Sequence, residues 1–507
     1  MNTSQLMHQL GLQELDVKFE EAMIRNQCLR ELKRQFESLI TYVEDWMNRS
    51  PAKSESNPAD AERIHLLLES FKEFFTDYYL YFVRRIVDND FKQRSQQEVL
   101  RTVIDQILEP GATLSRLLGQ RRHGSLHLDW LIEADKRADR YYSRYYGAKT
   151  GGDKPVVYFE KLYRITRFPF RPPPLIAIPL ADWNRPEAWL PLAHELGHHV
   201  YWNSADLDAY RHVQETFRGV VEERSKAFFE ANPQYAKIAE KAKSHWLTWV
   251  EESFADVFGT LIAGPAYAIE AQERLVRNTL SRAEDLLWDD AQHPLPAIRP
   301  LIASETLKYM EDGQAIAEKL EKRWQPYLDQ AEAAFENVQA HRSKGADIDQ
   351  EVSPKVIAAM TPYIIKGLLT QPVLQAGPGS LEQKPLFDLV VKPWQPDPVL
   401  KELSMAQFAA EGLNELPLPL APVDHSRQNL NPPPEPPETY LSESFRQLRS
   451  YVQQEIQEGR VQKSEWEVLL ALDLAPTLDL DHSWWLYHEH ELWHKHGDLG
   501  VICDGCD

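Results

Sequence analysis

Residues 189–200 read Trp-Leu-Pro-Leu-Ala-His-Glu-Leu-Gly-His-His-Val, a helix-length stretch that sets two imidazoles and a carboxylate among apolar neighbours. Pro191 suits a first helical turn. His194 and His198 stand at i and i+4, so they share one face of that helix. Trp189, Leu190, Leu192, Leu196 and Val200 surround them with apolar side chains, where polar groups are costly without partners. The fold must therefore bring partners to this helix from elsewhere in the chain. Two imidazoles one turn apart can reach a single ion at about 2.0–2.1 Å. Glu195, one position round the helix, then lies beside the ion and can take a proton from a bound water. His199 points roughly 100° away from His198 and reads as a packing or hydrogen-bonding residue, not as a ligand.

A catalytic metal of this type takes three protein ligands and keeps one position open. The metzincin arrangement, HExxHxxGxxH, is excluded, because Tyr201 stands at its glycine position and Ser204 at its last histidine. Three cysteines, Cys28, Cys503 and Cys506, offer no ligand near the motif. The better source is Trp249-Val-Glu-Glu-Ser-Phe-Ala-Asp-Val-Phe-Gly259. Glu252 and Asp256 are again i and i+4, and the flanking Trp246, Trp249, Phe254, Val257 and Phe258 mark a buried helix in which unpaired carboxylates are costly. Glu252 can complete a His₂Glu set, and Asp256 can accept the outer N–H of a ligating histidine, which fixes its tautomer. Glu251 competes for the ligand role but has alanine, not an acid, at i+4. A solvated acidic face is the plainer alternative.

HELGH at 194–198 followed by EESFADVFG at 251–259 resembles the gluzincin branch of the zincin metallopeptidases, in which HExxH is paired with a downstream ExxxD. The resemblance covers about residues 190–300. It implies zinc held by His194, His198 and Glu252, with Glu195 as general base and Asp256 as histidine orienter. The interval between His198 and Glu252 is longer than in thermolysin-like members, so residues 205–245 read as an insertion.

Two further segments bear on such a site. Leu175–Leu180 precedes the motif and reads equally as a core strand or as an edge strand that binds an extended peptide. Residues 289–299, Asp-Asp-Ala-Gln-His-Pro-Leu-Pro-Ala-Ile-Arg, supply donors for an oxyanion opposite the metal. His293 is the first choice there, Arg299 the second, also as a partner for a site carboxylate, and Tyr267 the third. A proline-rich helix connector is the competing reading of that segment.

The remaining chain sets the context. At 507 residues it has room for two or three domains. Helical periodicity dominates residues 1–130, and strands are expected between 156 and 180. Helices follow over 191–202, 207–230, 235–263, 267–288, 304–341 and 353–369. This predicts a predominantly helical α+β fold. Residues 131–375 form the zincin-like metallopeptidase domain, 376–440 a proline-rich connector, and 441–507 a small unit with His488, His490, His494, His496 and the pair Cys503 and Cys506. A second zinc in that tail is a lesser reading, as is a tail residue that blocks the catalytic metal. The net charge of −21 argues against nucleic acid or anionic membrane as partner. Residues 136–171, rich in Lys, Arg and Tyr, accordingly read as structure first. No secretory leader or membrane span is visible, and so few cysteines suit a reducing compartment, so a cytoplasmic location is expected. The expected activity is hydrolysis of a protein or peptide substrate. The alternatives are a catalytically silent zincin-fold binding protein and a zinc hydrolase of a non-peptide amide.

Overall fold

The computed structural model describes residues 12–24, 27–49, 58–87, 110–121, 127–146, 154–166, 174–180, 189–202, 207–278, 283–288, 292–311, 313–342, 352–377 and 380–385. Its architecture is mostly helical with a small three-stranded sheet. β1 (Val156–Glu160), β2 (Arg164–Thr166) and β3 (Leu175–Pro179) lie in the order β1-β3-β2. β1 runs parallel to β3 in the register Val156 to Leu175, while β2 is antiparallel, with Ile165 opposite Ile176. The edge-strand reading of Leu175–Leu180 is thereby corrected, because β3 is the central strand. Pro174 and Pro179 bracket the paired stretch without interrupting it, so they cost no ladder hydrogen bond in its middle. Among the described residues the outer edge nearest the motif helix is that of β2.

Both faces of the sheet are buried, which is why the strands read as continuous apolar runs and not as alternations. Val157, Phe159, Ile176 and Ile178 face the core that holds the motif helix. Val156, Tyr158, Leu175 and Ala177 face a second core, built by the N-terminal helices. These are α1 (Gln13–Ile24), α2 (Gln27–Arg49), α3 (Pro58–Val87) and the helical residues 110–120. Tyr79 anchors this core edge-on to Phe36 at 4.7 Å and Phe19 at 6.0 Å between ring centroids.

A buried polar brace ties the two cores together. Arg121 donates to Asp60 at 2.6 Å, to Asp135 at 2.9 Å and to the Val157 carbonyl at 2.6 Å. Asp135 also accepts the Val157 N–H at 2.7 Å. One guanidinium thus joins α3, β1 and α4 (Leu128–Tyr146). Tyr141, Tyr142, Tyr145 and Tyr158 are all buried. Within the basic, aromatic segment they are core residues and not a stacking platform.

The second half is helical: α5 (Pro191–Trp202), α6 (Leu207–Ala231), α7 (Ala239–Thr248), α8 (Val250–Ala263), α9 (Pro265–Asn278), α10 (Arg299–Leu307), α11 (Gly313–Arg342) and α12 (Pro354–Thr370). The single helix expected over 235–263 is broken. A 3₁₀ segment, Pro233–Ile238, leads into α7, and Trp249 at φ −87°, ψ 2° separates α7 from α8. Residues 304–341 likewise divide between α10 and α11, and only the first part of 267–288 is α-helical. α8 stops at Gly264, whose φ of 66° and ψ of −149° belong to a region open essentially to glycine alone. β4 (Pro372–Gly377) and β5 (Ser380–Pro385) form a hairpin at the start of the proline-rich segment. The rest of that segment and the His/Cys unit lie outside the described residues. Among those described, no helix is long and apolar enough to cross a membrane.

Removing the brace leaves Asp135 buried without its main counter-charge. Arg121→Ala is expected to cost about 3–5 kcal/mol in urea or thermal unfolding.

Candidate metal centre

The motif sits at a crossing of two helices whose backbones nearly touch. A Cβ on Gly197 would lie 2.7 Å from the Ala255 Cα, and one on Gly259 would lie 3.3 Å from the His194 backbone nitrogen. Gly197 therefore meets the middle of α8 while Gly259 meets the start of the motif, so α5 and α8 cross antiparallel. That direction matches His194 with Asp256 and His198 with Glu251 and Glu252. The apolar side chains Leu192, Leu196, Val200, Phe254, Val257 and Phe258 seal the flanks and are buried.

Three ligand groups converge at the crossing. His194 Nε2 and His198 Nε2 are 3.2 Å apart. Glu252 places Oε2 3.4 Å from the first and Oε1 3.3 Å from the second. A tetrahedral ion with ligands at about 2.0–2.1 Å has ligand–ligand edges of roughly 3.3–3.4 Å. The three spacings match those edges. Among the described residues this is the grouping of His, Cys, Asp or Glu that can hold a metal ion, and all three members are buried.

Each ligand histidine is gripped on its other nitrogen. His194 Nδ1 lies 2.9 Å from Asp256 Oδ1. Asp256 in turn accepts from Tyr267 Oη at 2.6 Å and from Arg299 Nε at 2.9 Å and Nη2 at 3.2 Å. Tyr267 reaches Asp256 because Gly259 leaves room, since a Cβ there would stand 2.9 Å from its ring. His198 Nδ1 lies 3.0 Å from Glu251 Oε1. An imidazole that donates from Nδ1 presents its Nε2 lone pair to the centre.

Charge is concentrated at the same place. Burial alone would lower the His194 pKa, but the Asp256 charge and its hydrogen bond raise it to about 9. Burial works against the charge of Glu252, yet His198, His194 and Arg299 hold its carboxyl well below the usual range. Asp256 is likewise lowered against its burial, chiefly by Arg299 and His194. Tyr267 is pushed well above its ordinary value by burial and by the Asp256 charge, so it stays a hydrogen-bond donor. Arg299 Nη2 also comes within 3.4 Å of Glu252 Oε2 and 3.3 Å of His194 Nε2. Glu252 and Asp256 thus set two carboxylates against the one guanidinium of Arg299 around His194.

Of the residues singled out from sequence, His194, His198, Glu252, Asp256, Arg299 and Tyr267 meet in one network. Tyr267 donates to Asp256, and Arg299 donates to Asp256 and Glu252, which fits the partner role considered for Arg299 more than the oxyanion role. His293 stands at the mouth, 41% exposed, with Nε2 3.3 Å from Glu252 Oε1. His199 turns away and packs against the Tyr142 ring at 6.0 Å. Glu195 is buried, and among the described residues it makes no hydrogen bond or ion pair. The two crossing glycines went unread in the sequence, although glycine inside two helices that carry apolar neighbours is a signal of close approach.

No protein-family model, curated protein or solved structure matches the chain.

Gly197→Ala pushes a methyl into backbone that has no rotamer to give. We expect about 1–3 kcal/mol of destabilisation, together with weaker metal binding in calorimetric titration.

Proposed function

We propose that the chain is a zinc-dependent metallopeptidase of gluzincin type. The observation that carries this reading is the convergence of His194, His198 and Glu252, from two helices far apart in sequence, at the spacings of a tetrahedral site. A His₂Glu donor set, with outer carboxylates on both imidazoles, suits zinc among the common divalent ions. Zinc bound there supplies a water of lowered pKa, near 7, and a Lewis acid for the scissile carbonyl.

The chain's own residues supply the rest. Glu195, buried and next to His194 in sequence, has no hydrogen bond or ion pair among the described residues, and its carboxylate takes the proton of the attacking water. It then delivers that proton to the departing amine nitrogen. His293, 41% exposed beside Glu252, is the donor we assign to the carbonyl oxygen, while Arg299 and Tyr267 keep Asp256 fixed behind His194. Among the described residues the outer edge of β2 has no strand paired to it, and an extended peptide added there would favour a peptide over another amide. A protein or peptide is accordingly the substrate.

Purified protein is expected to hold one zinc per chain, lost in His194→Ala, by elemental analysis. Glu195→Gln should retain the zinc while cleavage of a peptide library falls by about 10²–10⁴-fold. Cleavage at the wild-type rate by that variant would refute the base assignment. A wild-type protein that binds zinc and cleaves nothing in the library would overturn the peptidase reading.

A further inference from the structure

Glu251 stands next to the third ligand in sequence, yet its carboxylate turns to the opposite side of the pair of histidines. Its Oε1 lies 3.0 Å from His198 Nδ1, while His198 Nε2 faces Glu252 Oε1 at 3.3 Å and His194 Nε2 at 3.2 Å. The arrangement mirrors that on His194, where Asp256 takes Nδ1 and Nε2 faces the centre. One helix, α8, thus supplies three carboxylates with three places: one between the two imidazoles and one outside each. This follows from helical spacing. Position 256 stacks one turn after 252 on nearly the same face, whereas 251 is rotated about 100° from 252 and reaches the other imidazole.

The two outer carboxylates differ in their supports. Asp256 is buried and held by Tyr267 Oη and by Nε and Nη2 of Arg299. The Glu251 side chain is less deeply buried, at 18% exposed. A bond from Nδ1–H to an anionic oxygen selects the tautomer whose Nε2 lone pair points inward, and it makes that nitrogen a better donor to a metal.

We propose that Glu251 is a positioning residue of the metal centre, an anionic acceptor that sets the tautomer and ring angle of His198. It neither ligates the metal nor touches substrate. This rests on the metal-site reading above. The geometry also separates it from Glu252, since the imidazole ring of His198 stands between Glu251 and the convergence point.

The test is zinc affinity by competition with a chromophoric chelator, together with the imidazole N–H proton resonance of His198 in the metal-free protein. Glu251→Ala is expected to weaken zinc binding by about 10–100-fold and to remove the downfield Nδ1–H resonance, with the thermal midpoint of the metal-free protein close to wild type. Glu251→Gln keeps an acceptor oxygen without the charge, and should restore the resonance and part of the affinity. Wild-type affinity and an unchanged resonance in Glu251→Ala would overturn the assignment. Complete loss of zinc in Glu251→Gln, as in His194→Ala, would overturn it in the other direction by making Glu251 a ligand. Failure of wild-type protein to bind zinc would instead sink the metal site, and that outcome is read separately from the variants.

Discussion

Two helices can bring their backbones together only where side chains are missing at the crossing, and the candidate metal centre of this chain depends on one such place. Gly197 lets α5 settle on Ala255, and Gly259 lets the start of the motif and the Tyr267 ring settle on α8. With ordinary side chains at those positions the helices would stand further apart, at the 8–10 Å usual for packed pairs. The carboxylates would then fall short of the imidazoles. The short separation is thus the cause of the polar network and not its product. The apolar residues around it exclude water, so each charge inside acts through a low dielectric.

Orientation along α8 depends on how that helix begins. Trp249 leaves helical geometry for one residue, with its N–H bonded to the His245 carbonyl at 2.9 Å and its carbonyl taken by Ser253 at 2.8 Å. Glu251 and Glu252 therefore fall in the first turn of a new helix, where exposed N–H groups and the positive end of the dipole favour carboxylates. At the far end Gly264 turns the chain sharply enough to return Tyr267 to Asp256. Break and turn together set the two ends of α8.

Much of this was legible in the sequence. The i, i+4 pairs His194/His198 and Glu252/Asp256 were readable because helical periodicity converts spacing directly into a shared face. The helical character of the chain was readable for the same reason. The break at Trp249 was not, because no glycine or proline marks it and tertiary packing overrides local helix propensity there. The place of β3 was misjudged in favour of an equal chance of an edge, since flanking prolines look alike whether a strand is central or peripheral. The sequence shows that Arg299 and Tyr267 are donors near the site, but not which acceptor each will meet. That choice is made by a turn at Gly264 and by the entry of α10, both long-range features. Glu251 was weighed only as a rival ligand, because a pattern of positions on one helix does not say which nitrogen of a ring a neighbour will approach.

The sheet carries apolar residues on both faces, one for each core, and this has a consequence for synthesis. The N-terminal helices are made before the strands and can pack Phe36, Phe71, Phe75 and Tyr79 among themselves. Among the described residues their remaining face is covered by Val156, Tyr158, Leu175 and Ala177, and those strands lie well downstream. During that interval the nascent chain presents a sticky surface, a natural point of engagement for chaperones. The sheet is therefore the stitch that closes the first half of the molecule at the moment it opens the second.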